Sequence, residues 1–254
     1  MSSRTGRRGR SEAAIWQEVE FGSYTADLPL WNELAAAADG PALELGAGAG
    51  RVALQLAERG QEVIALDSDA GLVAELERAA GEQGLPLTAV TGDLAAAGEL
   101  DLPSKPGVVI GPLHVIQVLD AARRPALLDR LAELTAPGAT VALTLVDEST
   151  LLSAGTAATQ ILPDMRELDG WVYSSEPLWV QVGDEALTIR RLRERVSSEG
   201  RFERHVQDEI LHRLPSERLE EEAEAAGLRR AGRRRIHSGP DEADSAVVLL
   251  EVPE

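Results

Sequence analysis

The residues of this sequence best suited to chemistry are a carboxylate, three glycines and an arginine in one run, Glu44-Leu45-Gly46-Ala47-Gly48-Ala49-Gly50-Arg51. Glycines at alternate positions let the backbone turn sharply and let a ligand approach it closely. Behind them Val52, Leu56 and Ala57 fall at helical spacing, and the N-terminus of such a helix offers unpaired amides to whatever sits there. The usual ligand of such a loop is a nucleotide. A dinucleotide fingerprint wants glycine at its first, third and sixth positions, the last for close helix–strand packing. Counted from Gly46, the sixth position is Arg51, a bulky charged residue, which weakens the dinucleotide reading.

Further strand ends carry polar groups. Asp67 closes Glu62-Val63-Ile64-Ala65-Leu66, 21 residues beyond Gly46, a separation that fits one helix plus a return strand. An acid there is placed to accept hydrogen bonds from two ribose hydroxyls. Ser68 and Asp69 follow in the same turn, Asp69 being better suited to capping the helix that carries Leu72, Val73, Leu76 and Ala80. A third strand, Leu87-Thr88-Ala89-Val90, ends in Thr91-Gly92-Asp93-Leu94, where Asp93 taken alone reads as a turn-forming or capping aspartate. A fourth, Val108-Val109-Ile110, leads into Gly111-Pro112-Leu113-His114. Such ends meet at one edge of a parallel sheet, the edge where open α/β folds bind ligands.

The run from Glu44 resembles the first motif of class I S-adenosylmethionine-dependent methyltransferases, an acid followed by alternating glycines. The resemblance implies a Rossmann-like, mostly parallel seven-stranded sheet with an antiparallel last strand. It also implies S-adenosyl-L-methionine as cofactor and S-adenosyl-L-homocysteine as product. Glu44 with Gly46, Ala47, Gly48, Gly50 and Arg51 would hold the methionine portion, Asp67 and Ser68 the ribose. Gly92, Asp93 and Leu94 would meet the adenine, the Asp93 carboxylate accepting from the adenine amino group and the Leu94 backbone amide donating to the ring. Gly111, Pro112 and Leu113 would face the departing methyl. The family commonly has a histidine on the first turn of the next helix; here that position is Val118, and His114 comes earlier. Whether His114 is a base, orients substrate or caps the helix is left open by the sequence. Tyr24 lies in an aromatic-bearing turn, Phe21 to Pro29, of the kind that relatives lay across the cofactor, and is expected to contact cofactor or substrate; Trp31 is expected in the core.

The elements that must position these groups follow from pattern. Residues 1 to 11 read as a disordered basic tail. Two helical pieces span Glu12 to Ala38, and a helix from Pro125 carries Leu127, Leu128, Leu131 and Leu134 up to Pro137-Gly138. Thr140 to Val146 is a fifth buried strand. Alternation of strand and helix through five strands argues for a parallel sheet with right-handed crossovers. Beyond Asp147 the rhythm breaks. Residues 149 to 170 read as a loose helical segment, and three strand-like runs follow, Trp171 to Val182, Ala186 to Val196 and Phe202 to Leu214, as an antiparallel meander. Ser216 to Ala226, capped by Ser216 and stopped by Gly227, is a helix, and two strands, Leu228 to Ile236 and Ala246 to Val252, close the chain. The expected division is a cofactor domain of residues 12–148 and 216–254, with 149–215 as an insertion. The resemblance implies that the insertion roofs the substrate pocket or joins subunits, as in a homodimer, with Met165, Trp171 and Tyr173 near the substrate.

A formal charge of −18 argues against the nucleic acid backbone as a partner, since that requires a positive surface. With no cysteine, thiol chemistry, disulfides and thiolate metal sites are excluded. No stretch approaches a membrane span, and the arginines near the N-terminus lack the apolar run of a signal peptide, so a cytoplasmic protein is expected. His205, His212 and His237 lack metal-ligand spacing. The expected activity is methyl transfer to a nitrogen or oxygen of a small-molecule acceptor, by alignment and exclusion of water. A nicotinamide-dependent oxidoreductase is the competing enzyme class, disfavoured by Arg51 and by a single lysine, Lys105, in a Pro/Gly loop; a non-catalytic binder of the same cofactor is the other alternative.

Overall fold

The protein is described here from a computed structural model, which covers residues 10–147, 162–238 and 244–254. Ser11, expected within the tail, caps the first helix instead, its hydroxyl accepting from the Ala14 amide. That helix, α1, spans Glu12–Phe21, and α2 spans Leu28–Ala36 with Pro29 in its first turn. The alternation that follows is β1 Ala42–Leu45, α3 Ala53–Glu58, β2 Val63–Asp67, α4 Ala70–Gln83 and β3 Leu87–Thr91. Then come β4 Val108–Gly111, α5 Arg124–Leu134 and β5 Thr140–Val146. Asp69 caps α4 as its position suggests, accepting from the Gly71 and Leu72 amides, and Gly84 ends it at φ +65°.

After β5 the chain builds a second sheet from β6 Asp164–Leu168, β7 Trp171–Val182, β8 Ala186–Ser197 and β9 Phe202–His212. The chain then returns through α6 Ser216–Ala225, β10 Arg229–Ile236 and β11 Ser245–Glu251. The main sheet has the order β10-β11-β5-β4-β1-β2-β3. Strands β1 to β5 run parallel, while β11 inserts antiparallel between β5 and β10. This is the mixed α/β architecture implied by the motif resemblance.

Two sequence expectations are corrected. Met165 and its neighbours lie on β6, not in a loose helix. Asp164-Met165-Arg166-Glu167-Leu168 pairs antiparallel with Trp171 to Ser175 across Asp169-Gly170, both at positive φ (+52° and +79°), as a two-residue hairpin turn requires. The rest of the expected helical segment, residues 148–161, lies outside the described residues. The second correction is at α6, where Pro215 occupies the cap position and Ser216 makes no capping bond.

Strand alternation divides the core. Leu43, Leu45, Ile64 and Leu66 face α5 and α6, packing with Leu127, Leu131 and Leu219. Ala42, Val63, Ala65 and Ile110 face the other way, against Trp31, Leu56 and Leu76 of α2, α3 and α4. Glu44 shares the Ala42 side of β1, so the alternation that builds the core also aims this carboxylate at the N-terminal helices. Two apolar contacts tie the second sheet down. Val146 packs with Leu187 and Leu211, and Tyr173 packs with Ile15, Trp16 and Val19 of α1.

Candidate active site

Three cavities open along the carboxyl ends of the parallel strands. The first, about 340 Å³, is lined by Gly46, Asp67, Ser68, Gly92, Asp93, Leu94, Val115 and Val118. The second, about 460 Å³, shares Gly46, Val115 and Val118 with it and adds Glu44, Ala47, Gly48, Arg51, Pro112 and Leu113. The third, about 310 Å³, shares Phe21, Leu113 and Glu209 with the second and runs under the second sheet past Tyr24, His114, Leu187, Arg191 and Ser245.

The glycine loop is shaped by backbone geometry that side chains resist. Gly46, Gly48 and Gly50 have φ of +66°, +56° and +91°. A Cβ on Gly46 would also lie 2.7 Å from Val115 Cγ2, and one on Gly50 would strike Leu76 of α4. Gly50, expected at the cofactor, therefore packs the loop onto α4 and lines none of these cavities. Gly111 behaves similarly, since a Cβ there would lie 2.7 Å from Leu143 Cδ2. Gly92 does line the first cavity, with Leu66 and Leu100 directly behind it at 2.8 and 2.7 Å from where a Cβ would be.

The carboxylates at the strand ends are already partly engaged. Asp67 Oδ2 accepts from the Gly48 amide at 2.7 Å and Oδ1 from the Asp69 amide at 2.9 Å, which locks the end of β2 to the glycine loop. Asp93 Oδ1 accepts from the Ala95 amide at 2.8 Å, capping a short 3₁₀ turn. Glu44 is 3% exposed and its Oε2 has no hydrogen-bond partner. Burial pushes its pKa up to about 8, against the pull of the Arg51 cation.

Arg51 occupies the place of the missing sixth glycine and reaches back to the N-terminal helices. It holds Asp27 by two hydrogen bonds of 2.7 and 2.6 Å, donates to the Tyr24 carbonyl at 3.0 Å and stacks against the Tyr24 ring. Asp27 is fully buried and also accepts from Trp31 Nε1 at 2.8 Å. Trp31 is core, as expected. Tyr24 faces the third cavity and not the two that the glycine loop lines.

His114 adopts φ +61° after β4, donates its amide to Thr144 Oγ1 at 2.8 Å and places Nε2 2.9 Å from Ser245 Oγ. Burial lowers its pKa to about 4, so the imidazole is neutral across the physiological range. Met165, Trp171 and Tyr173 are not brought to the third cavity. Met165 is 53% exposed on β6. Trp171 stacks under Arg195 and Arg201, and Tyr173, 3% exposed, makes an edge contact with Trp16. Both rings fasten the second sheet to α1 or to itself. Of the remaining histidines, His205 edges onto Trp16, and His237 meets Asp244 at 2.9 Å.

Two residues not anticipated from sequence stand in the site. Gln17 of α1 reaches into the glycine loop, its Oε1 accepting from the Ala49 amide at 2.7 Å. Glu209 of β9 lies on the boundary of the second and third cavities. Neither has a local sequence signature, because each is delivered by packing between elements far apart in the chain.

Residues 42–138 match the family described as methyltransferase domain. No curated protein sequence matches the chain. Solved structures do match it in fold. An S-adenosylmethionine-dependent methyltransferase from Clostridium acetobutylicum is 14% identical, with 95% of this chain and 98% of that one covered and a TM-score of 0.71. The sugar N-methyltransferase KedS8 from a Streptoalloteichus species is 15% identical over 100% and 98% of the two chains, with a TM-score of 0.72. The glycopeptide N-methyltransferase MtfA, solved with S-adenosyl-L-homocysteine, is 22% identical over 89% and 87%, with a TM-score of 0.61. The matched residues, the glycine loop and the strand order together give residues 42–138 the character of a methyltransferase domain set in a fold shared with these structures. The residues present fit S-adenosylmethionine, the cofactor implied by the motif resemblance: the cradle at Gly46 leaves no room for a Cβ, and Glu44, with one buried oxygen unpartnered, lines the cavity beside it.

Proposed function

We propose that this methyltransferase acts on a nucleophilic nitrogen or oxygen of a small molecule held in the third cavity. The observation that supports this reading is that Phe21, Leu113 and Glu209 line both the second and the third cavity, so that an acceptor in one would lie beside a cofactor in the other. The cofactor, when bound, supplies a methyl group on a positively charged sulfur, which needs little further activation. The chain's contribution is then alignment and dryness, which together lower a barrier by roughly 7–11 kcal/mol when the geometry is right. In this reading Asp67 and Ser68 hold the ribose, and Asp93 and Leu94 the adenine. Glu44 and the loop from Gly46 hold the methionine portion. Apolar residues from the second sheet, Leu187, Ile189 and Leu211, exclude water above the acceptor.

His114, neutral and bonded to Ser245, is proposed to orient the acceptor through hydrogen bonds, since its lowered pKa makes it a weak base. The second sheet, β6 to β9, within the expected insertion of residues 149–215, serves as the roof of the cofactor domain. Similar structures described as sugar and glycopeptide N-methyltransferases favour nitrogen as the acceptor atom. Among the described residues no helix is long and apolar enough to cross a membrane, which suits an acceptor reached from water. The test is methyl transfer from S-adenosylmethionine to a panel of amines, phenols and carboxylic acids, with calorimetry of S-adenosylmethionine against NAD beside it. Binding without transfer to any acceptor would leave a non-catalytic binder, and binding of NAD alone would overturn the reading.

A further inference from the structure

The ion pairs around the third cavity can be matched one by one. Glu20 of α1 takes both Arg193 donors at 2.7 Å. Asp27 takes both Arg51 donors, and Asp164 of β6 takes Arg191 at 3.1 Å. Glu209 faces the same cavity, yet its carboxylate makes no hydrogen bond or ion pair among the described residues, with Arg191 and Arg193 acting on it only from a distance. His114 adds no cation, because burial keeps it neutral. Among the described residues the cavity is thus left with one carboxylate without a bonded cation, and that carboxylate lines both the second and the third cavity.

We infer that Glu209 receives the ammonium group of a cationic amine acceptor, holds it at the junction and takes the proton that the nitrogen must lose before it can attack. The inference rests on the methyl-transfer reading above. An unpaired carboxylate at a half-buried site is unfavourable until a cation completes it, and a neutral alcohol would leave it incomplete. Burial also pushes the Glu209 carboxyl upward against the nearby Arg191 and Arg193 cations, with Glu20 adding to the rise, which makes it a stronger base than an exposed glutamate. In the balanced step, an ammonium N–H proton passes to a Glu209 oxygen. The freed lone pair forms the N–CH3 bond as the C–S bond breaks, its electrons staying on sulfur. The methylated nitrogen then carries the positive charge, and Glu209 later returns its proton to water.

The experiment uses the full chain saturated with S-adenosyl-L-homocysteine and measures binding of cyclohexylammonium chloride and of cyclohexanol by calorimetry. The expected result is a preference for the cation of roughly ten- to hundredfold, the value of one charge-assisted hydrogen bond. That preference should disappear in Glu209→Gln. The ratio of S-adenosylmethionine to S-adenosyl-L-homocysteine affinity should be the same in both proteins. Equal binding of the two probes by the wild type, or a preference that survives in Glu209→Gln, overturns the inference. So does a fall in that cofactor ratio in Glu209→Gln, which would give the carboxylate to the sulfonium instead. Failure of the methyl-transfer reading shows itself separately, as absence of binding by either cofactor form, and the Glu209 assignment then falls with it.

Discussion

Glu44 shows how a single buried group sets chemistry at the residue scale. Its pKa of about 8 means that the folded protein holds a proton the unfolded chain has released above pH 4.5. Stability from this group is therefore complete below pH 4.5 and declines as pH rises towards 8, by about 5 kcal/mol at most. Glu44→Gln should remove that decline, seen as a flatter dependence of the urea midpoint on pH between 5 and 8. A wild-type midpoint that does not fall over this range would mean Glu44 is ionised in the free protein. Asp67 poses a different question, because its oxygens already accept from the Gly48 and Asp69 amides. Asp67→Ala should weaken S-adenosylmethionine binding by roughly ten- to hundredfold, through lost ribose bonds and a loosened loop. Unchanged affinity by calorimetry would remove the ribose assignment.

At the scale of elements, the hairpin of β6 and β7 turns on Asp169-Gly170, with Gly170 at φ +79° and open space around it. Gly170→Ala should cost about 1 kcal/mol by backbone strain alone, read as a lower denaturation midpoint with cofactor affinity intact. This turn also marks where the sequence could be read and where it could not. The parallel strands were legible because each is a short apolar run ending in a polar turn, a local pattern. Asp69 was legible as a cap for the same reason. The segment around β6 mixes charge with few apolar residues, so its pairing with β7 was hidden although Asp-Gly is itself a hairpin signal. Trp171 and Tyr173 drew attention as aromatics, but their position against α1 is a tertiary fact. Arg51 is visible as a departure from the dinucleotide pattern, while nothing in the sequence marks Asp27, 24 residues earlier, as its partner. Glu209 and Gln17 carried no pattern at all.

In the whole molecule, α1 is the joint between cofactor loop and roof. One face buries Ile15, Trp16 and Val19 against Tyr173 of the second sheet. From the same helix Gln17 bonds the Ala49 amide, and Glu20 bonds Arg193 and Ser175. A ligand that orders the glycine loop must then also restrain α1 and, through it, β7 and β8. Cofactor binding should accordingly slow amide hydrogen exchange in β7 and β8, although the first two cavities draw no lining residue from those strands. Trp16→Ala removes the edge contact with Tyr173 and the stacking of Arg193, at a cost of about 3–5 kcal/mol in stability. In that variant the cofactor should still protect β1 and β2 but no longer β7 and β8. Equal protection of the second sheet in both proteins would show that the roof senses the cofactor by another route, and no protection in the wild type would show that it does not sense it.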